Sequence, residues 1–295
     1  MEDNFSKRKT YTEVCILPTR LFQYNAHGGY IVNPDKTFEL FTPLLGRQFD
    51  SLEYREHIKT FQLDHLEWAA IPERNTIGAR VSLDEEQNIT LYGLEEVLGM
   101  IVRNAKESVA RAAEEQVHDC VATVPPYFGT AERYALFDAF KIGKANPLGF
   151  ISENMAAALK YVLDGMGIKR NGKNETILMV FNMGAKSTKV SIIKQYEVLD
   201  KKNNKMINAV KLLGEAWDEY IGGRVLDLLL ADIIIDKFDK LPQRQGKPSL
   251  RELKNKKPLR RILRKAEDIK EKLSAAKFMK VYIDNVVDYV DINVN

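Results

Sequence analysis

An alternation of strand, helix, strand and helix between Cys120 and Leu163 constrains this chain more than any other feature. Cys120 to Val124 reads as a short apolar strand closed by Pro125-Pro126. Thr130 to Gly143 follows as a helix with Thr130 and Glu132 in its first turn. Leu148 to Ser152 is a second strand, and Asn154 to Leu163 a second helix ended by Gly165 and Gly167. A crossover helix between two strands is how parallel pairing is made. Upstream, Ile89 to Tyr92 reads as a strand leading into a helix from Leu94 through Glu115. Leu94, Val97, Leu98, Ile101, Ala105 and Val109 fall mostly three or four apart there and give one apolar face. Thr12 to Leu17 reads as an opening strand.

Beyond the polar turn Asn171 to Glu175, a natural lobe boundary, the pattern changes. Thr176 to Asn182 and Lys189 to Lys194 read as strands around a glycine turn. The loop Asp200 to Lys205 leads to a third strand, Met206 to Leu213. A helix opens at Gly222-Gly223 and runs to about Phe238, Pro242 to Pro248 breaks it, and a basic helix covers Pro258 to Lys272. Lys277 to Asp284 is a last strand. Helices alternating with strands, then consecutive strands, define a mixed α/β architecture with some antiparallel pairing.

Composition bears on what such a fold can be for. With 295 residues, 45% hydrophobic and 29% charged, the chain buries a core without staples. A net charge of +3 gives no reason to expect nucleic acid or membrane as a partner. In the basic stretch Arg244 to Lys272, Glu252, Glu267, Asp268 and Glu271 interleave with the cations and no stacking aromatics do, which reads as a solvated helical face. The polar start, Met1 to Thr10, shows no signal-peptide pattern, and no apolar run reaches the roughly 18 residues of a membrane span. Asn4, Asn88 and Asn174 open glycosylation triplets that matter only in a secretory compartment. Cys15 and Cys120 read as buried free thiols, though one disulfide is open to them.

Three places carry candidate chemistry. The turn Asn182-Met183-Gly184-Ala185-Lys186-Ser187-Thr188 joins two strands. It is either an ordinary hairpin or a nest of backbone N–H groups suited to phosphate, with Gly184 allowing close approach or a positive φ. Gly222-Gly223 is either a plain helix start or an anion site at the positive end of a helix dipole. Glu153 lies between a strand and a helix, at the sheet edge where α/β folds bind ligands; it either orients a water or complements its helix dipole.

These features occur in the order found in the seventy-kilodalton heat-shock chaperones. Val121-Ala122-Thr123-Val124-Pro125-Pro126-Tyr127-Phe128 resembles their "Val-x-Thr-Val-Pro-x-Tyr-Phe". Ile151-Ser152-Glu153-Asn154-Met155-Ala156-Ala157-Ala158 resembles "Ile-Asn-Glu-Pro-Thr-Ala-Ala-Ala". The Asn182 turn resembles the phosphate loop "Asp-Leu-Gly-Gly-Gly-Thr". Leu44 to Asp50, the Gly222-Gly223 pair and the helix carrying Glu267, Lys270 and Ser274 are similar to further family stretches. Met183, Gly184, Ser187 and Thr188, with Glu95 to Met100, are similar to the large endoplasmic-reticulum branch.

The resemblance implies an actin-like ATPase (ribonuclease-H-like) two-lobed α/β fold, truncated at both ends. Its first lobe would cover 1–168 and lack its opening strands; its second, 169–295, would be incomplete. It implies ATP or ADP with Mg²⁺ as cofactor. Gly184, Ala185, Lys186, Ser187, Gly222 and Gly223 would hold the nucleotide, with Glu267, Lys270 and Ser274 at the adenine. Unfolded client proteins and a lumenal heat-shock chaperone are the implied partners, and the endoplasmic-reticulum lumen the implied place. The catalytic positions would be Glu153 and Asn182, the second degenerate, because the family Asp is here an uncharged amide that cannot act as a base. The family's phosphate-positioning lysine maps to Thr42 and a second turn carboxylate to Lys189. Phosphoryl transfer depends on positioning and charge, so the resemblance implies impaired hydrolysis and weakened nucleotide binding. A non-hydrolysing scaffold that works through protein contacts, such as a nucleotide-exchange partner of another chaperone, is the alternative.

Overall fold

A computed structural model describes residues 10–83, 88–164 and 175–294. The opening sheet is small and antiparallel. β1 (Val14–Cys15) lies between β2 (Leu21–Phe22) and β3 (Thr37–Phe38), with α1 (Gln23–Val32) packed on it. The strand expected over Thr12 to Leu17 is thus shortened to two residues. α2 (Leu52–Phe61) starts where the Ser51 hydroxyl accepts from the Tyr54 N–H at 3.2 Å and ends at Gln62, whose left-handed φ of 54° stops the helix.

β4 (Glu67–Ala70), β5 (Ile77–Ser82) and β6 (Ile89–Gly93) form an antiparallel meander. β6 passes directly into α3 (Leu94–Ala113), whose first turn is closed by the Glu96 carboxylate accepting from the Gly93 N–H at 2.8 Å. The helix ends two residues before Glu115, because Glu114 takes a left-handed φ of 56°. β7 (Asp119–Val124), α4 (Thr130–Ile142) and β8 (Asn146–Ser152) follow the expected alternation, with β7 and β8 paired in parallel, and α5 (Glu153–Leu163) follows without a break.

β9 (Glu175–Met183), β10 (Thr188–Asp200) and β11 (Lys205–Asp218) form an antiparallel sheet in the order β9-β10-β11. α6 (Gly223–Asp239) and α7 (Lys257–Leu273) pack on each other, and the hairpin β12 (Val281–Val287) and β13 (Val290–Val294) closes against them. The strand expected over Lys277 to Asp284 is therefore β12, which starts at Val281, and β13 follows it where no strand is expected from the sequence. The polar boundary at 171–174 and the glycines Gly165 and Gly167 lie outside the described residues, so the expected 168/169 division is not placed.

Two separate apolar cores give the chain its two lobes. One gathers Phe38, Phe41, Leu44, Ile77, Leu94 and Val124; the other gathers Leu228, Ile234, Phe238, Ile262, Ile269 and Ile283. Burying a side chain of this size contributes about 1.5–3 kcal/mol, so each lobe has its own driving force. Both cysteines are free thiols. Cys15 is buried as expected, but Cys120 is only half-buried, since β7 pairs with a single neighbour.

Charges join the lobes where apolar packing is thin. Glu39, buried beside β3, receives Arg224 of α6 at 3.0 Å and Arg264 of α7 at 2.8 Å. Burial alone would push its carboxyl up, and the two guanidiniums hold it below the ordinary glutamate range. Arg264 also reaches Glu13 at 3.4 Å and Glu267 at 3.3 Å, and lies over the Tyr30 ring. Arg47 makes a second crossing, to Glu219 at 2.5 Å. It is positioned by Gly46, whose φ is +70° and where a Cβ would stand 2.7 Å from the Ala131 carbonyl oxygen.

Candidate functional site

The period of two along β10 decides what faces what. Lys189, Ser191, Ile193 and Gln195 share the buried face of the strand, and α5 packs there. Lys189 stands directly across from Asn182 on β9, so the two side chains lie on the same face. From α5, the carboxylate of Glu153 receives the Lys189 ammonium. One residue on, the buried Asn154 donates to Ser191 Oγ at 2.9 Å and accepts from Asn182 Nδ2 at 3.1 Å.

The turn between β9 and β10 is braced from behind. The carbonyl of Gly184 accepts from the Gly223 N–H at 2.9 Å, and that of Ala185 from the Arg224 N–H at 2.8 Å. In a trans peptide the N–H points opposite to its carbonyl. The N–H groups of Ala185 and Lys186 are therefore turned away from α6, and with that of Ser187 they meet no backbone acceptor among the described residues. Successive N–H donors without a backbone partner are what anion-binding concavities are built from. Gly222 is what allows the bracing, because a Cβ there would stand 2.6 Å from both Ala185 O and Lys186 C. Gly184 does not take a positive φ, and a Cβ on it would meet only Ser187 O at 3.6 Å.

The first free N–H groups of α6 are thus bonded to the turn rather than open to an anion. Gly222 and Gly223 support the turn from behind.

Lys186 leaves the turn and reaches the Thr42 hydroxyl. Burial first and the nearby Lys189 second lower its ammonium to about 8, against the opposing pull of Glu153. Tyr127 donates to Ser187 Oγ at 3.4 Å, and burial pushes its phenol up to about 12. These residues border a cavity of about 520 Å³ whose opposite wall is apolar, formed by Leu98, Val102, Ala122, Leu136 and Phe140.

The other expected residues lie next to the Gly223 end of α6. Lys270 pairs with Asp227 at 2.7 Å and donates to the Gly223 carbonyl at 3.2 Å. Glu267 is held by Arg264 and lies 3.6 Å from His27 Nε2. Ser274 is exposed and donates to the Glu271 carbonyl at 2.6 Å. Glu153, Asn182, the turn and Lys186 are brought together. Lys270 approaches the turn through Gly223, Glu267 is held at Arg264 and His27, and Ser274 bonds to its own helix. Sequence reasoning missed Asn154, Ser191 and Tyr127. One signal pointed to the first, because Asn154 replaces the proline of the resembling stretch while Asn182 replaces its aspartate, and the two amides bond each other.

Mg²⁺ does not fit this residue set. Asn182 is neutral, Glu153 is occupied by an ammonium, and among the described residues no cluster of three or more His, Cys, Asp or Glu forms a metal site. Two unit charges about 4 Å apart interact by about 4 kcal/mol at an effective dielectric near 20. A divalent ion here would have to compete with the Lys189 ammonium for the Glu153 carboxylate.

Two α/β lobes, a braced phosphate-type turn and a carboxylate at the end of a parallel strand are the features of an actin-like ATPase fold. The chain belongs to the Hsp70 family: the family described as Hsp70 protein matches residues 4–294. Among its relatives is Hypoxia up-regulated protein 1 of Xenopus tropicalis, 30% identical over 288 residues, which cover 97% of this chain and 42% of the relative. The protein of the same name from Homo sapiens is 30% identical over 295 residues, covering 97% of this chain and 28% of the relative. That from Mus musculus is 28% identical over 291 residues, covering 97% and 28%. The chain therefore spans less than half the length of these relatives. The resemblance read from the sequence is borne out, in family and in fold.

Proposed function

We propose that this chain is a nucleotide-binding domain of a heat-shock-type chaperone that assists protein folding in the endoplasmic reticulum, and that it grips adenine nucleotide without hydrolysing ATP. The observation that carries this reading is the turn at residues 184–187, which lines the same cavity as Glu153 and Asn182 and whose Ala185, Lys186 and Ser187 N–H groups have no backbone acceptor among the described residues. Lys189 neutralises the carboxylate that would orient water, and Asn182 offers no base. The two together remove charge stabilisation from the transition state, at about 1.4 kcal/mol per tenfold in rate.

The test joins calorimetry to phosphate release. ADP is expected to bind more weakly than about −8 kcal/mol, with no release of phosphate from ATP above buffer. Turnover that disappears in Glu153→Gln would overturn the catalytic part.

A second reading, a scaffold that works through protein contacts such as nucleotide exchange on another chaperone, is favoured by one observation. Ile177, Met179, Phe181 and Met183 form an exposed apolar row on β9, opposite the face that α5 covers. Unfolded clients or a partner chaperone would meet that row. Loss of partner binding in Met179→Lys, with ADP binding unchanged, would favour it.

A further inference from the structure

The residue set that rejects Mg²⁺ has a chemistry of its own. Lys186 and Lys189 come from the same short segment and reach the same cavity. Their contacts differ, since Lys189 meets the Glu153 carboxylate and Lys186, among the described residues, meets the neutral Thr42 hydroxyl. Two ammonium groups against one carboxylate leave the pocket net positive, with no metal needed to balance it. The family lysine is missing at Thr42, but the Lys186 ammonium lies against that very side chain, so a cation returns to the place from the opposite side of the cavity. The turn adds three N–H donors that have no backbone acceptor among the described residues.

We propose that the pocket binds the diphosphate or triphosphate chain of a nucleotide as the metal-free anion, with the ammonium groups of Lys186 and Lys189 standing in for the divalent cation. This rests on the nucleotide reading above and narrows it. A polyphosphate chain suits the arrangement because a charged oxygen can meet the turn N–H groups and an ammonium at once. Mg²⁺ would weaken the complex on two counts. It neutralises the oxygens that the lysines attract, and it brings positive charge toward Lys189.

Calorimetry on the 295-residue chain with ADP, inorganic pyrophosphate and adenosine, each in EDTA and in excess Mg²⁺, tests the proposal. ADP and pyrophosphate are expected to bind in EDTA and to lose about threefold or more in Mg²⁺, while adenosine binds more weakly and is indifferent to the metal. Lys186→Gln and Lys189→Gln should each weaken pyrophosphate about tenfold, or ~1.4 kcal/mol, and Lys186→Arg should retain binding. Thermal unfolding establishes that each variant is folded, and the wild-type comparison decides the matter even where a variant is not. ADP binding that requires Mg²⁺ would overturn the proposal and leave the nucleotide reading standing. No binding of ADP in either condition would overturn both. Adenosine binding as tightly as ADP would remove the phosphate chain from the account.

Discussion

Replacing Glu39 by Gln tests what holds the two lobes together. The substitution keeps the shape and removes the charge between Arg224 and Arg264. Breaking a buried ion pair by removing one partner typically costs about 3–5 kcal/mol. Here Arg264 retains Glu13 at 3.4 Å and Glu267 at 3.3 Å, whereas the buried Arg224 keeps no other carboxylate within 4.0 Å among the described residues. One stranded guanidinium rather than two places the loss near the lower end, at ~3 kcal/mol. At roughly 2–4 °C per kcal/mol, the transition should fall by ~6–12 °C.

The effect has a pH signature. Glu39 is held below its ordinary value of 4.5, so its contribution is full above that pH and is lost as pH falls toward the folded value. Urea denaturation of both proteins at neutral pH and near pH 4 measures it, with the difference narrowing in acid. A difference under about 0.5 kcal/mol at neutral pH, the size of an ordinary surface change, would refute the reasoning. So would one that does not depend on pH.

Two further outcomes follow from the turn. Gly222→Ala puts a Cβ 2.6 Å from backbone atoms that cannot yield, so it should destabilise by about 1–3 kcal/mol and weaken pyrophosphate binding in calorimetry. Pyrophosphate affinity should also fall as pH rises through about 8, where Lys186 loses its proton. Because that proton leaves earlier in the folded chain than in the unfolded one, stability should rise over the interval from about 8 toward 10.5, opposite in sign to binding. Affinity that is level from pH 7 to 9 would contradict the assignment of Lys186.

Local pattern made some elements readable and tertiary contact made others. α3 announces itself by apolar spacing, and β7, α4 and β8 by alternation. α1 does not, because Gly28 and Gly29 lie inside it and glycine weakens a helix by about 0.8–1 kcal/mol each. It forms because Gly29 lets the helix approach Cys15 and Thr37, where a Cβ would meet the Cys15 Cβ at 3.2 Å. β4 and β5 were likewise unread, since their partners define them. In the site, the turn and Glu153 were legible as motifs and Lys189 as a departure from the family pattern. That Lys189 answers Glu153 was not, because the two are 36 residues apart and only the register of β9 with β10 and the packing of α5 bring them together. The inter-lobe cluster is more distant still, with Glu39 and Arg224 separated by 185 positions.

Arg224 holds the phosphate-type turn with its main chain and Glu39 with its side chain. The backbone bond fixes where its Cα lies, and the guanidinium fixes how far the other lobe lies from that Cα. A displacement of the turn is felt first at this residue, whose side chain also carries the contact to the other lobe. The turn and the Glu39 cluster of the other lobe thus meet at a single arginine.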